Sequence, residues 1–185
     1  MNAQMVVTPQ SLERDYKLAN KIIEQNGDKR QALELLENVR NYGYISKEDF
    51  EYSKLLDKIA LIKCELGEVD QALALEDEVI QWRRTHRCNV GVIGTALSKK
   101  AIFYSYKKDY SAAIQYAEEA SALLLKHYGE KDQNYCKNLQ SLALYHSFRG
   151  VSTHSAQDFQ KAVQYGERAV KYLDKRTPAD RKSVV

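Results

Sequence analysis

The chain has 185 residues with 28 basic and 25 acidic side chains, a formal net charge of +3. The nearly equal numbers of basic and acidic side chains favour a solvated mixed-charge surface. A nucleic-acid interface would concentrate positive charge. Hydrophobic residues make up 44% of the chain, which excludes a disordered polar protein. Only 8 glycines and 2 prolines are present, and this scarcity favours helices over a turn-rich β-sandwich or barrel.

Helix start and stop signals divide the chain into eight segments. Thr8 followed by Pro9 predicts an N-cap and first helical residue. Ser46 with Asp49 resembles an acidic capping box at the start of the third helix. Four glycines stand where helices should stop, at Gly27, Gly67, Gly129 and Gly150. We therefore predict helices over about 9–26, 29–43, 47–66, 69–86, 90–107, 110–128, 132–149 and 156–175.

An internal repeat underlies these helices. Four segments share a turn followed by an alanine and an aliphatic residue, and their marker alanines are Ala32, Ala72, Ala113 and Ala162. The intervals are 40, 41 and 49 residues, and the last contains extra residues within 150–157. Without seven of these, the last interval is 42, so the period is about 41.

The residues before each marker alanine follow a large, small, large pattern. Sixteen residues before stand Tyr16, Leu56, Leu97 and, allowing for the insert, Leu139. Twelve before stand Asn20, Ala60, Ala101 and Ala143, and nine before stand Ile23, Lys63, Tyr104 and His146. Seven after stand Val39, Val79, Ala120 and Ala169, two turns on along the same face. Antiparallel helices that pack closely require this pattern, because a small residue lets two backbones approach.

This arrangement, over residues 9–175, resembles the tetratricopeptide repeat family. The period exceeds the usual 34 residues of that family and is closer to the long variety found in kinesin light chains and many bacterial repeat proteins. Segments 123–132 and 138–145 resemble that subtype most strongly. Asn20, Lys63 and Lys100 depart from the pattern, because these positions are normally apolar or small, and Gly166 stands where a bulky residue is common. The resemblance implies an all-α fold, a right-handed superhelix of about four hairpins at 9–43, 47–86, 90–128 and 132–175.

The resemblance also implies a groove lined by the first helix of each hairpin. Its exposed positions lie 18, 15, 11 and 8 residues before each marker alanine. In this sequence they are Arg14, Lys17, Lys21, Glu24, Lys54, Asp57, Leu61, Cys64, Thr95, Ser98, Ile102, Ser105, Lys137, Gln140, Leu144 and Ser147. The first half is basic and the second mixes small polar and aliphatic groups. A peptide with acidic residues at one end and apolar anchors at the other suits this set. Alternatively, the lysines only solubilise a helix face.

A carboxylate clamp of the kind some family members use is disfavoured. Lys17 fits its lysine, but Lys21 replaces the asparagine that the clamp needs.

Other residues that suggest chemistry have simpler interpretations. The acidic cluster 76–78 predicts a solvated face, and the basic string 83–87 a helix C-terminus that complements the dipole. The glycines at 91 and 94 are expected in a loop between repeats. His86 and Cys88 do not share a helix face, so we expect no metal site. Phosphate-loop and nucleophile-elbow motifs are absent from the sequence, and we expect no catalytic residue, no cofactor and no enzymatic activity.

The predicted function is that of a protein-interaction module, a scaffold or adaptor that binds a partner protein or peptide. The alternatives are a peptide-sensing domain of a bacterial regulator and an array that self-associates through its end faces. We expect no nucleic-acid partner, because the charges are mixed. We also expect no membrane partner, because no run approaches the ~20 apolar residues of a membrane span. The three separated cysteines favour a reducing, cytoplasmic setting, in a bacterial protein if the resemblance holds. Residues 1–8 are predicted to be disordered and 176–185 frayed. The partner and the oligomeric state, homo-oligomers included, stay open.

Overall fold

The computed structural model describes residues 7–174, with side chains up to Lys171. Across them the chain forms eight α-helices and no strand. The helices are α1 (Pro9–Glu24), α2 (Lys29–Asn41), α3 (Phe50–Glu65), α4 (Val69–Thr85), α5 (Val90–Tyr106), α6 (Tyr110–Tyr128), α7 (Gln133–Thr153) and α8 (Ala156–Asp174). All eight predicted helices therefore occur. The predictions for 1–6 and 176–185 lie outside the described residues.

Side-chain caps explain where most helices begin. At α1, the Ser11 amide donates to Thr8 Oγ1 at 3.1 Å and the Thr8 amide donates to Ser11 Oγ at 2.9 Å, a reciprocal capping box. Five more helices begin at an acidic or amide cap: Asp28, Asp49, Asn89, Asp109 and Asp132. Each such cap contributes about 1 kcal/mol.

The predicted Ser46 cap is wrong by three residues. Asp49 caps α3 by accepting from the Glu51 amide at 2.9 Å, whereas Ser46 accepts from the Glu48 amide in the turn before it. Ser46 and Asp49 are both residue types that form N-caps, and Asp49, which directly precedes Phe50, forms the cap of α3.

Gly150 does not end its helix, contrary to the prediction. α7 continues to Thr153 and ends at His154, whose φ of 55° is left-handed. Gly150 is buried, and a Cβ added there would lie 3.2 Å from the Phe159 ring. The glycine therefore serves the close approach of α8, and part of the inserted sequence lengthens α7 by one turn.

The glycines predicted in a loop also lie inside a helix. Gly91 and Gly94 are buried in α5. A Cβ added to Gly91 would lie 2.5 Å from His127 Cδ2, and one added to Gly94 would lie 3.0 Å from Leu124 Cγ. Both glycines let α6 pack tightly against α5, so the loop prediction is wrong.

The chain divides into two compact units, whose boundary lies within α4 between Val79 and Ile80. In unit 1 (residues up to Val79), α1 packs on α2, and α2 contacts α3. In unit 2 (residues from Ile80), α5 packs on α6, α6 on α7 and α7 on α8, and α5 also contacts α7.

The cores of both units follow the repeat. Ala32, Ala72 and Ala113 are fully buried and Ala162 is 8% exposed, as the packing pattern predicts. The aliphatic residues sixteen positions earlier are buried at Leu56, Leu97 and Leu139. Each buried leucine of this kind contributes about 1.5–3 kcal/mol relative to an exposed one.

Lys63 replaces an apolar packing residue and is held by polar partners. It is only 9% exposed, and its Nζ lies 2.9 Å from Glu37, 3.2 Å from Glu68 and 3.1 Å from the Gln71 side-chain oxygen. Burial alone would lower the Lys63 pKa, but the hydrogen bonds to both glutamates outweigh it, and the pKa is raised. The departure from the repeat pattern is thus compensated locally.

The other two polar departures from the pattern, Lys100 and Asn20, each lie beside a contact between a lysine and a tyrosine ring. Lys100 is 7% exposed, and its Nζ lies 4.2 Å from the centre of the Tyr116 ring. Asn20 accepts a hydrogen bond from Lys58, whose Nζ also lies 5.0 Å from the centre of the Tyr16 ring. Polar side chains therefore occupy inter-helix positions where the ring and amide partners satisfy them.

Candidate functional site

The predicted groove residues of unit 2 lie along α5 and α7. Four of them, Thr95, Ser98, Ile102 and Lys137, line one cavity of about 180 Å³. The other lining residues are Lys99, Asn134, Asn138 and Ser141. Gln140 is exposed, as is Leu144, which stands two turns beyond Lys137 on the same side of α7. We call this surface the α5–α7 face.

Asn138 fixes the floor of this face. It is 3% exposed, and its Nδ2 donates to the Ala117 carbonyl at 2.6 Å and to Ser121 Oγ at 2.8 Å. Its Oδ1 accepts from Ser98 Oγ at 2.9 Å. The amide therefore ties α5, α6 and α7 together and orients a cavity-lining hydroxyl.

Apolar side chains continue the α5–α7 face beyond the polar cavity. On α7, Lys137, Ser141, Leu144 and Phe148 follow a spacing that places them on one side of the helix. Leu144 is 55% exposed, Phe148 50% and Ile102 37%. Exposed large apolar residues beside converging polar groups are typical of a binding surface.

The predicted groove residues of unit 1 form a more balanced surface. Arg14, Lys17, Lys21 and Lys54 are all exposed. However, Lys17 pairs with Glu13, Lys54 pairs with Glu51 at 2.7 Å, and Arg14 lies 3.8 Å from Asp15. Exposed pairs of this kind are weak and screened by salt. The expected basic half of the groove therefore has much of its charge compensated by neighbouring carboxylates.

Two predicted groove positions of α3 are buried. Asp57 is 7% exposed and Cys64 is 2% exposed, so neither side chain is available to a ligand. Burial raises the pKa of the Cys64 thiol to about 11, which keeps it protonated and unreactive. Leu61, by contrast, is 41% exposed and lines an apolar cavity of about 90 Å³ together with Ile22 and Ile23. A single offset rule did not distinguish the covered positions from the open ones.

The acidic cluster 76–78 is solvated only in part, whereas the basic string begins in the last turn of α4, as predicted. Glu76 is fully buried, and Glu78 accepts from Arg40 at 2.9 Å and from the Tyr52 hydroxyl at 3.2 Å. Arg83 is 3% exposed and donates to the Val92 carbonyl at 3.0 Å. These charges take part in helix packing.

Residues 7–174 show neither a metal cluster nor a membrane-spanning helix. No group of three or more His, Cys, Asp or Glu side chains in that range is arranged to hold a metal ion. None of the helices in the same range combines the length and apolarity needed to cross a bilayer.

Solved structures with the same arrangement of helices identify the fold. A putative kinesin light chain of Podosopora anserina, with nearly identical TPR-like repeats, is 20% identical with a TM-score of 0.71, over 93% of this chain and 79% of that one. BtubC (BKLC) from P. vanneervenii is 16% identical with a TM-score of 0.75, over 94% and 69%. The chain has a tetratricopeptide-repeat fold. MamA is also similar, at 16% identity and a TM-score of 0.64 over 90% and 81%. No protein-family model and no curated protein matches the sequence.

The tetratricopeptide-repeat fold explains why α5 and α7 share a face. They are the first helices of consecutive hairpins, and they contact each other directly in unit 2. The predicted all-α repeat fold is thereby confirmed. Sequence reasoning missed Lys99, Asn134, Asn138 and Ser141 as cavity residues, although an asparagine among the apolar residues of a first helix could have indicated Asn138.

Proposed function

We propose that the chain is a protein-interaction module that holds a segment of another protein on its α5–α7 face. The observation that supports this most directly is the cavity between the two helices, with exposed Ile102 in its lining and exposed Leu144 and Phe148 further along α7. A tetratricopeptide-repeat fold suits such a role, because it presents helix faces without a closed core over them.

The chemistry of the α5–α7 face suits a ligand with an acidic group and apolar anchors. Lys99 and Lys137 supply positive charge at the cavity, and hydroxyls of Thr95, Ser98 and Ser141 supply hydrogen-bonding groups. From Lys137 to Phe148 the helix rises about 16 Å. An extended peptide covers that length with about five residues. We therefore propose a segment in which a carboxylate and the most distant apolar anchor are about five residues apart.

We also propose a reducing cytoplasmic setting for this module. The three cysteines, Cys64, Cys88 and Cys136, are all free thiols. Free thiols in a helical repeat protein suit a compartment that keeps cysteines reduced.

Peptide binding to matched variants tests the proposed site. The probe is a library of fluorescein-labelled peptides of about ten residues, each with one Asp or Glu and two apolar residues at varied spacing, measured by fluorescence anisotropy. Leu144→Glu places a charge on the α5–α7 face, and Leu125→Glu makes the same change at an exposed leucine of α6. We expect the first variant to lose at least tenfold in affinity and the second to change by less than about twofold.

Lys137 provides a second arm of the same experiment. Lys137→Glu should weaken peptides that contain the carboxylate and leave their amide counterparts unchanged. The peptides that bind the parent protein are then compared on the two variants. If they bind Leu144→Glu and Leu125→Glu equally well, the α5–α7 face is not the peptide-binding site. If no peptide binds with a Kd below about 1 mM, the proposed ligand class is wrong.

A further inference from the structure

An apolar stripe is exposed along the last described helix. Phe159 is 44% exposed, Val163 59% and Val170 57%, and Gly166 lies between them. Their spacing of four, three and four residues places them on one side of α8. We call these four residues the α8 stripe.

The corresponding positions of the preceding hairpin are covered by a helix. The shift from marker Ala113 to marker Ala162 is 49 residues, so the α8 stripe corresponds to Tyr110, Ile114, Ala117 and Ser121 of α6. Ile114 is 5% exposed and Ala117 is fully buried. α7 packs on α6, and Asn138 of α7 donates to the Ala117 carbonyl and to Ser121. The α8 stripe therefore occupies the repeat position that, in the preceding hairpin, is covered by the next helix.

Residues 175–185 are poorly suited to cover the α8 stripe. Residues 175–185 contain five charged side chains and only three small aliphatic ones. The stripe from Phe159 to Val170 is about 16 Å long and apolar. A segment of this composition has too little apolar surface to match it.

The first described helix is polar at the repeat positions that α3 buries, which disfavours stacking of α1 of one copy on the α8 stripe of another. In α3, Ser53, Asp57 and Cys64 are buried. Forty residues earlier, the equivalent positions of α1 are Glu13, Lys17 and Glu24, and all three are exposed. Placing them on the α8 stripe of another copy would bury charges against apolar side chains, which is costly.

We propose that the α8 stripe is a dimer surface, on which the α8 helices of two copies pair antiparallel about a two-fold axis between Val163 and Gly166. A two-fold contact places the stripe against itself, apolar against apolar. Such pairing sets Phe159 opposite Val170 and Val163 opposite Gly166 of the second copy. No atom lies within 4 Å of a Cβ built on Gly166, which leaves room for a close helix approach. The exposed side chains beside the stripe carry both signs of charge, with Glu167 acidic and Arg168 and Lys171 basic.

Sedimentation velocity of the full chain tests the dimer. An interface of two helices is at the small end of specific interfaces, so concentrations from about 1 to about 500 µM are needed. We expect the mass to rise from 21.3 kDa towards twice that value. Val163→Glu should weaken association at least tenfold. Gln164→Glu adds the same charge to the adjacent exposed residue outside the stripe and should leave association unchanged, and circular dichroism verifies that both variants are folded.

Three outcomes would overturn the dimer. The first is a mass that stays at 21.3 kDa over the whole range, and the second is equal association of the two glutamate variants. The third is association only in a chain shortened to end at Asp174, since residues 175–185 would then be the occupant. If the shortened chain and the full chain dimerise alike, the proposal is supported. Peptide binding on the α5–α7 face is measured with different variants, so either proposal can fail alone.

Discussion

Removing the carboxylate of Asp158 should loosen the last hairpin, because this group joins α7 to α8. Asp158 is 6% exposed and accepts from Arg149 Nε at 3.0 Å, from Arg149 Nη2 at 2.6 Å and from His146 Nδ1 at 2.7 Å. Since an ionised carboxylate only accepts hydrogen bonds, His146 Nδ1 must be the protonated ring nitrogen. His146 is fully buried, so its N–H has no water to replace the carboxylate.

The magnitude follows from the three hydrogen bonds that Asp158→Ala removes. A hydrogen bond to a charged group contributes about 1.5–3 kcal/mol, and a buried donor left without an acceptor costs about 1–3 kcal/mol. The Arg149 side chain is 27% exposed, so water recovers part of its loss. We therefore expect a total of about 3 kcal/mol, and a Tm lower by about 6–12 °C for a chain of this length.

Urea titration and hydrogen exchange measure this effect. Because repeat hairpins contact mainly their neighbours, the increase in amide exchange should be concentrated in α7 and α8. Gln157→Ala, an exposed change one residue away, is the control and should stay within about 0.5 kcal/mol of the parent protein. If Asp158→Ala also stays within that margin, or if exchange increases mainly in α5 and α6, the linking role of Asp158 is refuted.

The same interaction sets an acid limit on stability. The Arg149 hydrogen bond, with a further one from His146, holds the pKa of Asp158 well below its ordinary value of 3.8. A carboxylate with a lowered folded-state pKa stabilises the fold fully above the unfolded value, and this stabilisation is lost as the pH falls below it. The parent protein should therefore lose stability below about pH 4 more steeply than Asp158→Asn, which has no proton to take up. Parallel acid titrations by circular dichroism compare the two.

Three further predictions concern packing and thiol chemistry. Gly91→Ala should destabilise unit 2 by about 1–3 kcal/mol, because the added methyl group overpacks against α6. Gly166→Ala meets open space and should stabilise α8 by about 0.5–1 kcal/mol. Thermal melts in which both variants shift the Tm in the same direction would contradict this. Lys63→Ala should cost about 2 kcal/mol in urea titrations, and Lys63→Met, which keeps the aliphatic stem, should recover most of it. Thiol labelling at pH 8 should modify the half-buried Cys88 first and leave Cys64 unmodified until the chain unfolds, because the Cys64 pKa is near 11; early label on Cys64 in peptide mass spectra would disprove its burial.

Helix order and the core could be predicted from sequence because both depend on local, repeated signals. Marker alanines such as Ala72 and Ala113 recur with aliphatic residues at fixed offsets, and that periodicity survives the departures at Lys63 and Lys100. The departures did not disturb the fold because each lysine found partners on a neighbouring helix, which no local pattern shows.

The glycine errors have one physical origin. Gly67, with φ of 88°, follows α3 as predicted, because a left-handed residue is needed there. Gly91 and Gly150 lie inside helices because another helix packs where a Cβ would stand. Sequence alone does not separate these two uses, since both need the same missing side chain. Only the position of the neighbouring helix decides between them.

Burial of charged groups was predictable only in part, for a related reason. Offsets from the marker alanines assign a helix face, but not how far the neighbouring hairpin covers it. Asp57 and Lys17 occupy the same repeat position, yet Asp57 is 7% exposed and the Lys17 side chain is 73% exposed. In the described residues α3 follows another hairpin, whereas no described helix precedes α1. The candidate face in unit 2 followed the rule better, since Thr95, Ser98 and Lys137 all line its cavity.

Asn138 connects the stacking of hairpins to the shape of the proposed binding face. Its two N–H groups hold α7 on α6, and its oxygen holds Ser98 at the cavity wall. A displacement of α7 on α6 would therefore also break the Ser98 contact and change the cavity. A ligand that binds the intact cavity must then favour the stacked arrangement by its differential affinity. α8 has glycine and valine at the positions equivalent to Ala117 and Ser121, so a helix seated there would lack the Ser121 hydroxyl partner and would depend on apolar contact. This difference is why the α5–α7 face suits a mixed polar ligand, whereas the α8 stripe suits another copy of itself.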